Sequence, residues 1–296
     1  MTPSELRPGV SAELLVLVYE SDPVAREVGR LWGTLPADGP HVDGAPVRRL
    51  SESVRVLRRD GVHIHDEELD RRLPAVLLAG SPTLVFPSIH RSEQKVASLT
   101  VHPIGNPGPT AELGGRPRHL VPTDPLRMVS ALRLLQEGSS RMGVPSTYEA
   151  THHGPALDTP SFFIEVGSGA ELPPPPEAVR ILADVIPRIT ETSGDRVALA
   201  VGGGHYVPHF TDLALHRSWA FGHLLSRHAL EGLDRATARA AFAQSRGAEG
   251  IVYSRAQDAR HPALEGIASR LRDQDAPGRT GDDAPTTGAS RSASGT

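Results

Sequence analysis

Residues 197–208 read VALAVGGGHYVP, in which five small or branched apolar residues precede three glycines, a histidine and a tyrosine. A short apolar run without polar alternation is typical of a strand buried on both faces of a parallel sheet. In open α/β sheets the working residues lie on loops beyond the carboxyl ends of the strands. This stretch therefore predicts a buried strand at Val197–Val201 that delivers His205 to the functional edge of a sheet. Gly202–Gly204 serve either a tight turn or direct substrate contact.

Similar apolar runs, bounded by Gly, Pro or charged residues, alternate with amphipathic segments along the chain. We expect further strands at Ala12–Tyr19, Val54–Leu57, Ala75–Ala79, Thr83–Phe86, Val96–Val101, Thr147–Thr151, Phe162–Val166 and Ile251–Tyr253. We expect helices after Asp22-Pro23 as far as Trp32, and at Pro125–Arg141, Glu177–Thr192 with a kink at Pro187, Arg235–Arg246 and Pro262–Leu271. This alternation favours an α/β fold with a mixed, mainly parallel central sheet covered by helices.

The domain organisation follows from where apolar residues occur. Residues 1–272 are expected to form a single α/β domain, because apolar runs recur throughout that range. Residues 273–296 consist mainly of Asp, Gly, Ser, Thr and Ala and have almost no apolar anchors, so we expect a disordered tail.

Composition excludes several classes of protein. The chain has no cysteine, which excludes disulfides, thiolate zinc sites and thiol nucleophiles and leaves His, Asp and Glu as metal ligands. A net charge of -4 restricts any nucleic-acid contact to a local patch. No apolar run approaches the roughly 18 residues of a membrane span, and the N-terminus lacks a secretory pattern. We expect a cytoplasmic protein without membrane contact, and no obligate protein partner is indicated.

The chemistry concentrates where histidines follow predicted strands. Of the fourteen histidines, several lie beside Gly, Pro or acidic residues in four such segments. Neutral imidazoles with nearby carboxylates suit Zn²⁺ with three protein ligands and a water whose pKa falls to about 7, so that bound hydroxide attacks an ester at neutral pH. Candidate ligands for one or two zinc ions are His90, His102, Glu149, His152, His153, His205 and His223. Candidates for catalysis are His152, His153, His205 and Glu165.

Simpler interpretations stand beside these. A lone histidine such as His63 is more often a surface or capping group, His152 and His153 form a structural pair in the alternative interpretation, and Glu149 and Glu165 are then ordinary strand carboxylates. Arginine runs are usually solvated faces. Arg91 and Lys95 are the favoured phosphate contacts because they follow His90 closely.

At these segments the sequence resembles the archaeal and plant type of D-aminoacyl-tRNA deacylase, from about residue 75 to 255. The motifs that carry the resemblance are SIH at 88–90, LTVHPIGN at 99–106, THHGP at 151–155, FIEVGS at 163–168 after Pro160-Ser161, GGGHY at 202–206 with Pro208, and AFGH at 220–223. Ile89 departs from the arginine expected between Ser88 and His90.

The resemblance implies an α/β fold similar to phosphorylases and peptidyl-tRNA hydrolase. It also implies a zinc-dependent esterase that frees tRNA from a D-amino acid, with D-aminoacyl-tRNA as its partner. Residues expected to bind that substrate are Ser88, His90, Arg91, Lys95, Asn106, Ser161, Gly203, Gly204 and Tyr206.

The residues alone leave alternatives open. The protein is either the deacylase, a zinc hydrolase of a small non-RNA ester or amide, or a non-catalytic RNA-binding module. The last lacks stacking platforms, because aromatic residues are only 4% of the chain. The deacylase interpretation itself allows two mechanisms. A metal activates the attacking water in the first, and the neighbouring ribose 2′-OH activates it in a second, substrate-assisted variant.

Overall fold

The computed structural model describes residues 12–91, 97–168 and 174–275. The strands are β1 (Leu14–Tyr19), β2 (Ala37–Val42), β3 (Ala45–Arg49), β4 (Val54–Arg59), β5 (Thr83–Arg91), β6 (Ser98–Pro103), β7 (Gly105–Asn106), β8 (His119–Leu120), β9 (Ser146–Tyr148), β10 (Ser161–Ser168), β11 (Arg196–Val201), β12 (Trp219–Leu225), β13 (Gly250–Tyr253) and β14 (Arg270–Leu271). The α-helices are α1 (Pro23–Leu31), α2 (Leu69–Arg72), α3 (Ala75–Leu78), α4 (Pro125–Ser139), α5 (Pro176–Val185), α6 (Pro208–His216), α7 (Arg227–Glu231) and α8 (Arg235–Gln244).

Two main sheets form the frame. The larger has eight strands in the order β2-β3-β4-β1-β5-β10-β6-β9, and the smaller has four in the order β12-β11-β13-β14. In the larger sheet β4, β1, β5 and β10 are parallel neighbours, whereas β6 runs antiparallel to β10 and β2 and β3 form an antiparallel edge. All pairs in the smaller sheet are parallel. The predicted mixed, mainly parallel α/β fold is confirmed, but as two sheets.

Strand β1 shows why these sheets lie inside the protein. All six residues of LLVLVY are buried. Leu14, Val16 and Val18 pack into a core that includes helices α1, α4 and α5, whereas Leu15 and Leu17 pack into a second core on the other face. Because successive side chains of a strand point to opposite faces, an uninterrupted apolar run requires cover on both.

Helix α4 joins the two sheets. It packs on β6 and β9 of the larger sheet and on β12 of the smaller one. Asp124 caps its first turn by accepting a hydrogen bond from the backbone N–H of Arg127, and it also accepts one from the hydroxyl of Thr83 at 2.5 Å. The cap therefore ties the start of this helix to the start of β5.

The topology gathers several loops at one edge. Since β1, β4, β5 and β10 are parallel, the segments that follow β1 and β4 lie at the same edge as the ends of β5 and β10. Residues 21–23 and 62–64 thus come beside His90 and Glu165.

Several local predictions were wrong. Ala75–Ala79 is helical at Ala75–Leu78, because it follows Pro74 and buries mainly Leu77 rather than alternate residues. Pro262–Leu271 contains a 3₁₀ turn at Pro262–Leu264 and the short strand β14, with Gly266 at φ 64° between them.

Other boundaries moved. The helix expected at Glu177–Thr192 ends at Val185, and Pro187 lies in a 3₁₀ turn, since proline lacks the N–H that the helix would need. Residues 273–275 form a further 3₁₀ turn, and Trp219 donates a hydrogen bond to the carbonyl of Asp273, so ordered chain continues past residue 272. Residues 276–296 of the expected tail lie outside the described residues.

Among the described residues, no helix is both long enough and apolar enough to cross a membrane.

Candidate active site

Strands β5, β6 and β10 supply three of the site's side chains. In the sheet register Glu165 on β10 pairs with Ser88 on β5 and with Thr100 on β6. His90 lies two residues beyond Ser88, and His102 lies two beyond Thr100. Because residues two apart on a strand share a face, His90 and His102 come to the same face as Glu165.

A loop after β9 supplies three more side chains. The strand ends at Tyr148, and the backbone then bonds to three neighbours: Glu149 N–H to Val101 O at 3.1 Å, Ala150 N–H to His205 O at 2.8 Å and Thr151 N–H to Leu224 O at 2.8 Å. His153 follows in the left-handed region at φ 43°, a conformation that non-glycine residues seldom adopt. The expected strand through Thr151 is thus too long, and the histidine pair turns towards β6.

The imidazole rings lie close together. The centroid of His102 is 4.1 Å from that of His152 and 4.9 Å from that of His153. His205 lies 4.8 Å from His152 and 5.4 Å from His90. The sequence predicted convergence of these loops, and the structure brings all five rings into one group.

Two buried carboxylates complete this group. Glu149 Oε2 lies 2.9 Å from His205 Nε2, 3.4 Å from His90 Nδ1 and 3.8 Å from His152 Nε2. Glu165 Oε2 lies 3.4 Å from His90 Nδ1 and 3.5 Å from His102 Nε2. We call these residues the His/Glu cluster: His90, His102, Glu149, His152, His153, Glu165 and His205.

Backbone carbonyls orient three of the rings. The Nδ1 atoms lie 3.1 Å from Pro103 O in His102, 2.8 Å from Ala150 O in His152 and 2.7 Å from Gly154 O in His153. A neutral ring that donates from Nδ1 carries its lone pair on Nε2. Ligand nitrogens of His102, His152 and His153 lie within 4.8 Å of one another, as a shared metal ion would require.

The electrostatics divide the histidines into two kinds. Burial alone would lower the pKa of His90 and His102, but the nearby carboxylate of Glu165 raises both. Burial and the imidazole of His102 hold the pKa of His152 well below its usual range and lower that of His153 to about 3. The two kinds of ring lie side by side, so a positive charge is favoured on the glutamate side of the cluster and neutral rings on the other.

Glu165 interacts with a neighbouring hydroxyl as well as with the imidazoles of the cluster. Ser88 donates a hydrogen bond to its Oε1 atom. Burial opposes ionisation, but His102 and His90 hold the pKa of Glu165 well below its usual range. Ser88 therefore contacts the site through Glu165.

Five residues of the cluster, all except His102 and Glu149, line a cavity of about 740 Å³. The cavity is lined by Ser21, Asp22, Pro23, Val62, His63, Ile64, Ile89, His90, Arg91, Leu113, His152, His153, Glu165, His205 and Tyr206. Sequence reasoning missed the residues at 21–23 and 62–64 and treated His63 as a capping group. The signal was present, because these segments follow the parallel strands β1 and β4.

Some predicted substrate contacts lie elsewhere. The Asn106 side chain donates to Gly114 O at 2.8 Å, and the Ser161 hydroxyl donates to Thr159 O at 2.7 Å, so each is engaged outside the cavity lining. Gly203 and Gly204 also lie outside that lining, and the Gly203 carbonyl accepts a hydrogen bond from Arg227 N–H at 3.0 Å. Lys95 lies outside the described residues.

His223 is not part of the cluster. Its Nε2 lies 3.0 Å from Val121 O and its Nδ1 lies 3.1 Å from the hydroxyl of Thr151. The prediction of His223 as a metal ligand is wrong in this structure, because both ring nitrogens already have protein partners. It instead supports the loop that carries His152.

Several arginines that occur in pairs or runs along the sequence form ion pairs within the protein. Arg58 pairs with Glu20, Arg71 with Asp158, Arg116 with Glu68, Arg118 with Asp234 and the buried Arg55 with Asp38. Arg91 differs in lining the cavity.

Comparison with known proteins shows which family the chain belongs to. A model of the family described as D-aminoacyl-tRNA deacylase matches residues 80–273. The chain belongs to the D-aminoacyl-tRNA deacylase family. A D-aminoacyl-tRNA deacylase of Methanosarcina mazei is 37% identical over 206 residues, which are 68% of each chain. One of Pyrococcus abyssi is 39% identical over 191 residues, 63% of this chain and 69% of the other.

A solved structure agrees with this architecture. The crystal structure of a conserved protein of unknown function, AF0625, superposes with a TM-score of 0.78 at 26% identity, covering 90% of this chain and 98% of the other. The likeness to phosphorylases and peptidyl-tRNA hydrolase stays a prediction. All seven residues of the His/Glu cluster fall within the range matched by the D-aminoacyl-tRNA deacylase family, whereas the cavity residues at 21–23 and 62–64 precede it.

Proposed function

We propose that this chain hydrolyses the ester bond between a D-amino acid and tRNA, with Zn²⁺ held by the His/Glu cluster. The observation that carries the proposal is that five imidazoles and two buried carboxylates lie together, with five of these seven side chains lining one cavity, in a chain of the D-aminoacyl-tRNA deacylase family. Ester hydrolysis needs an activated water, a group that stabilises the oxyanion and a proton for the leaving oxygen. The cluster offers groups suited to each need.

The donor set fits zinc. Glu149 is fully buried, and neither of its carboxylate oxygens has a hydrogen bond of normal geometry among the described residues. Buried carboxylates require a compensating positive charge, which a divalent cation supplies. His102, His152 and His153 would hold one ion, and a second group consists of His90, Glu149 and His205. Zn²⁺ bound there would polarise the ester carbonyl and lower the pKa of a water.

The protein's own groups do the remaining work. Backbone carbonyls fix the rings of His152 and His153, so both present Nε2 with little freedom to turn. Among the histidines of the cluster that contact a glutamate, His205 has the most exposed side chain. Its Nε2 atom lies 2.9 Å from Glu149 Oε2. It is therefore suited to pass a proton to the ribose oxygen that leaves when the only bound ion is the one held by His102, His152 and His153. Arg91, at the cavity, is suited to a phosphate of the tRNA terminus.

The test is deacylation of matched D- and L-aminoacyl-tRNA by the full chain and by His152→Ala and His205→Ala. We expect the D-ester to be cleaved by the native chain and each substitution to reduce the rate by at least about 100-fold, the scale of a lost acid–base group. His228→Ala is the matched control, because His228 is an exposed histidine outside the cavity lining.

Either of two results would contradict the proposal: full activity in both cluster variants with the fold intact, or turnover of free D-amino acid esters with no response to tRNA. The second would instead favour the small-ester hydrolase. The cytoplasmic location stays a prediction.

A further inference from the structure

Large apolar side chains are rarely exposed in the described part of this protein, and two of them share the cavity. The three that stand out are Val62 at 49%, Val76 at 38% and Leu113 at 59% relative exposure. Val62, Leu113 and the half-buried Ile64 all line the cavity. Exposed apolar residues that gather at one concave surface mark a binding site more often than scattered ones do.

Leu113 is exposed on a segment whose backbone is fixed. Its carbonyl accepts a hydrogen bond from Gly154 N–H at 3.1 Å. Next to it, the Gly114 carbonyl accepts one from the Asn106 side chain at 2.8 Å, and Gly115 N–H donates to Glu67 at 2.5 Å. A side chain at position 114 would place its Cβ only 1.7 Å from the carbonyl oxygen of Ile64, so glycine permits this close packing. The side chain of Leu113 therefore projects from a backbone that these hydrogen bonds hold in place.

These apolar residues lie at the histidine end of the cavity. Gly154, which bonds to Leu113, directly follows His153. His63, between Val62 and Ile64 in the chain, lies 5.3 Å from the ring of Phe163, which is 4.8 Å from the ring of His153. We call Val62, Ile64 and Leu113 the apolar wall.

The lining of the cavity also contains polar side chains. Ser21 and Arg91 are exposed lining residues, and Arg91 directly follows His90 in the chain. The lining therefore has apolar side chains near His153 and a cationic side chain, Arg91, next to His90 in the chain. A ligand with an apolar group on one side of its reactive bond and an anionic group on the other complements this division.

We propose that the apolar wall holds the side chain of the D-amino acid whose ester is hydrolysed, and so selects substrates with apolar side chains. This inference rests on the proposed deacylase function. The side chain is carried by the carbon next to the reacting carbonyl, so it must lie beside the cluster, whereas the nucleotide continues from the other side of the ester towards Arg91. Val62 and Ile64 precede the range matched by the family model, so this selectivity depends on the chain's own N-terminal segment.

The experiment compares two acyl groups on one tRNA. A single tRNA is charged in parallel with D-leucine and with D-alanine, and kcat/KM is measured for the native chain, Leu113→Ala and Val62→Ala. Loss of apolar contact in a hydrophobic pocket costs about 10- to 200-fold per group contacted. We expect the D-leucyl ester to lose at least about tenfold in each variant, while the D-alanyl ester, which does not reach the wall, changes by less than about threefold.

Val76→Ala is the matched control, because it is the same kind of substitution at an exposed valine outside the cavity lining. Unchanged thermal unfolding of the variants would show that the fold is intact. Equal losses for both esters would overturn the inference, since the wall would then hold the nucleoside that both share, and unchanged rates for both would overturn it as well. In either case the deacylase function would stand. Failure of the native chain on both esters would instead contradict the proposed function itself.

Discussion

Glu149 Oε2 lies 2.9 Å from His205 Nε2, and the N–H of the next residue, Ala150, donates to the His205 carbonyl at 2.8 Å. The loop after β9 and the glycine loop after β11 are thus joined through both side chain and backbone. Glu149 is thus a buried carboxylate that contacts three imidazoles of the cluster, those of His205, His90 and His152.

Glu149→Gln keeps the shape of this side chain and removes its charge. We expect zinc affinity to fall about 10- to 100-fold, the usual cost of losing a carboxylate that binds or orients metal ligands, and deacylation to fall with it. Competition with a chelator of known affinity measures the first effect, and single-turnover deacylation measures the second. Glu137→Gln, at an exposed site on α4, is the control. Unaltered zinc affinity would exclude Glu149 from the metal site.

Removal of metal distinguishes the two ways of activating water. If zinc is required, dialysis against a chelator abolishes deacylation, and stoichiometric Zn²⁺ restores it. Metal analysis of the purified protein should then show one or two ions per chain. Survival of full activity in metal-free protein would favour assistance by the ribose 2′-OH, with the cluster acting only to orient the substrate.

Arg91→Ala should weaken tRNA binding in a way that depends on salt. Each phosphate contact adds about one unit to the slope of log affinity against log salt concentration, so the variant should lose about one unit of slope. Binding titrations at several salt concentrations measure this slope. Arg180→Ala is a suitable comparison, because Arg180 pairs with Glu177 on the surface of α5. If both variants keep the native slope, Arg91 does not contact phosphate.

His223 should make stability depend on pH. Burial lowers its pKa to about 3, below the usual value of about 6.5, so the folded state disfavours the proton. The stability it contributes is therefore complete above about pH 6.5 and is lost as the pH falls towards 3, by up to about 1.4 kcal/mol per pH unit.

His223→Gln removes this titration and keeps an amide that can donate to Val121 O. We expect the variant to be less stable at pH 7.5, with its deficit shrinking by about 2 kcal/mol at pH 5. Urea unfolding at the two pH values measures the free energies of unfolding. A deficit that stays constant with pH would show that the pKa of His223 is the same in the folded and the unfolded protein.

The sequence predicted the central strands well, because their patterns are decided locally. Leu14–Tyr19 and residues 197–201 are uninterrupted apolar runs, and such runs are buried wherever the fold places them. Segments decided by distant contacts were not predicted. Ala37–Val42 has alternating exposed residues and two structure-breaking types, and it becomes a strand only by pairing with β3.

The same distinction applies to the site. His90, His102, His152, His153 and His205 were predicted from motifs at strand ends, and the structure brings them together. His223 lies in an equally suggestive motif, AFGH, but its burial against Val121 and Thr151 depends on how the two sheets meet. His63 has no motif around it, and only the order of parallel strands brings it to the cavity.

Helix α4 and the Glu149–His153 loop both bridge the two sheets, and Thr151 bonds to Leu224 of the smaller one through its backbone N–H and its hydroxyl. Neither half of the chain therefore contains the complete His/Glu cluster. An N-terminal fragment would lack His205, and a C-terminal fragment would lack Glu149 and Glu165. Docking of the sheets and assembly of the reactive group are a single event. We therefore expect a nascent chain to lack the complete His/Glu cluster until β11 and β12 have emerged and packed.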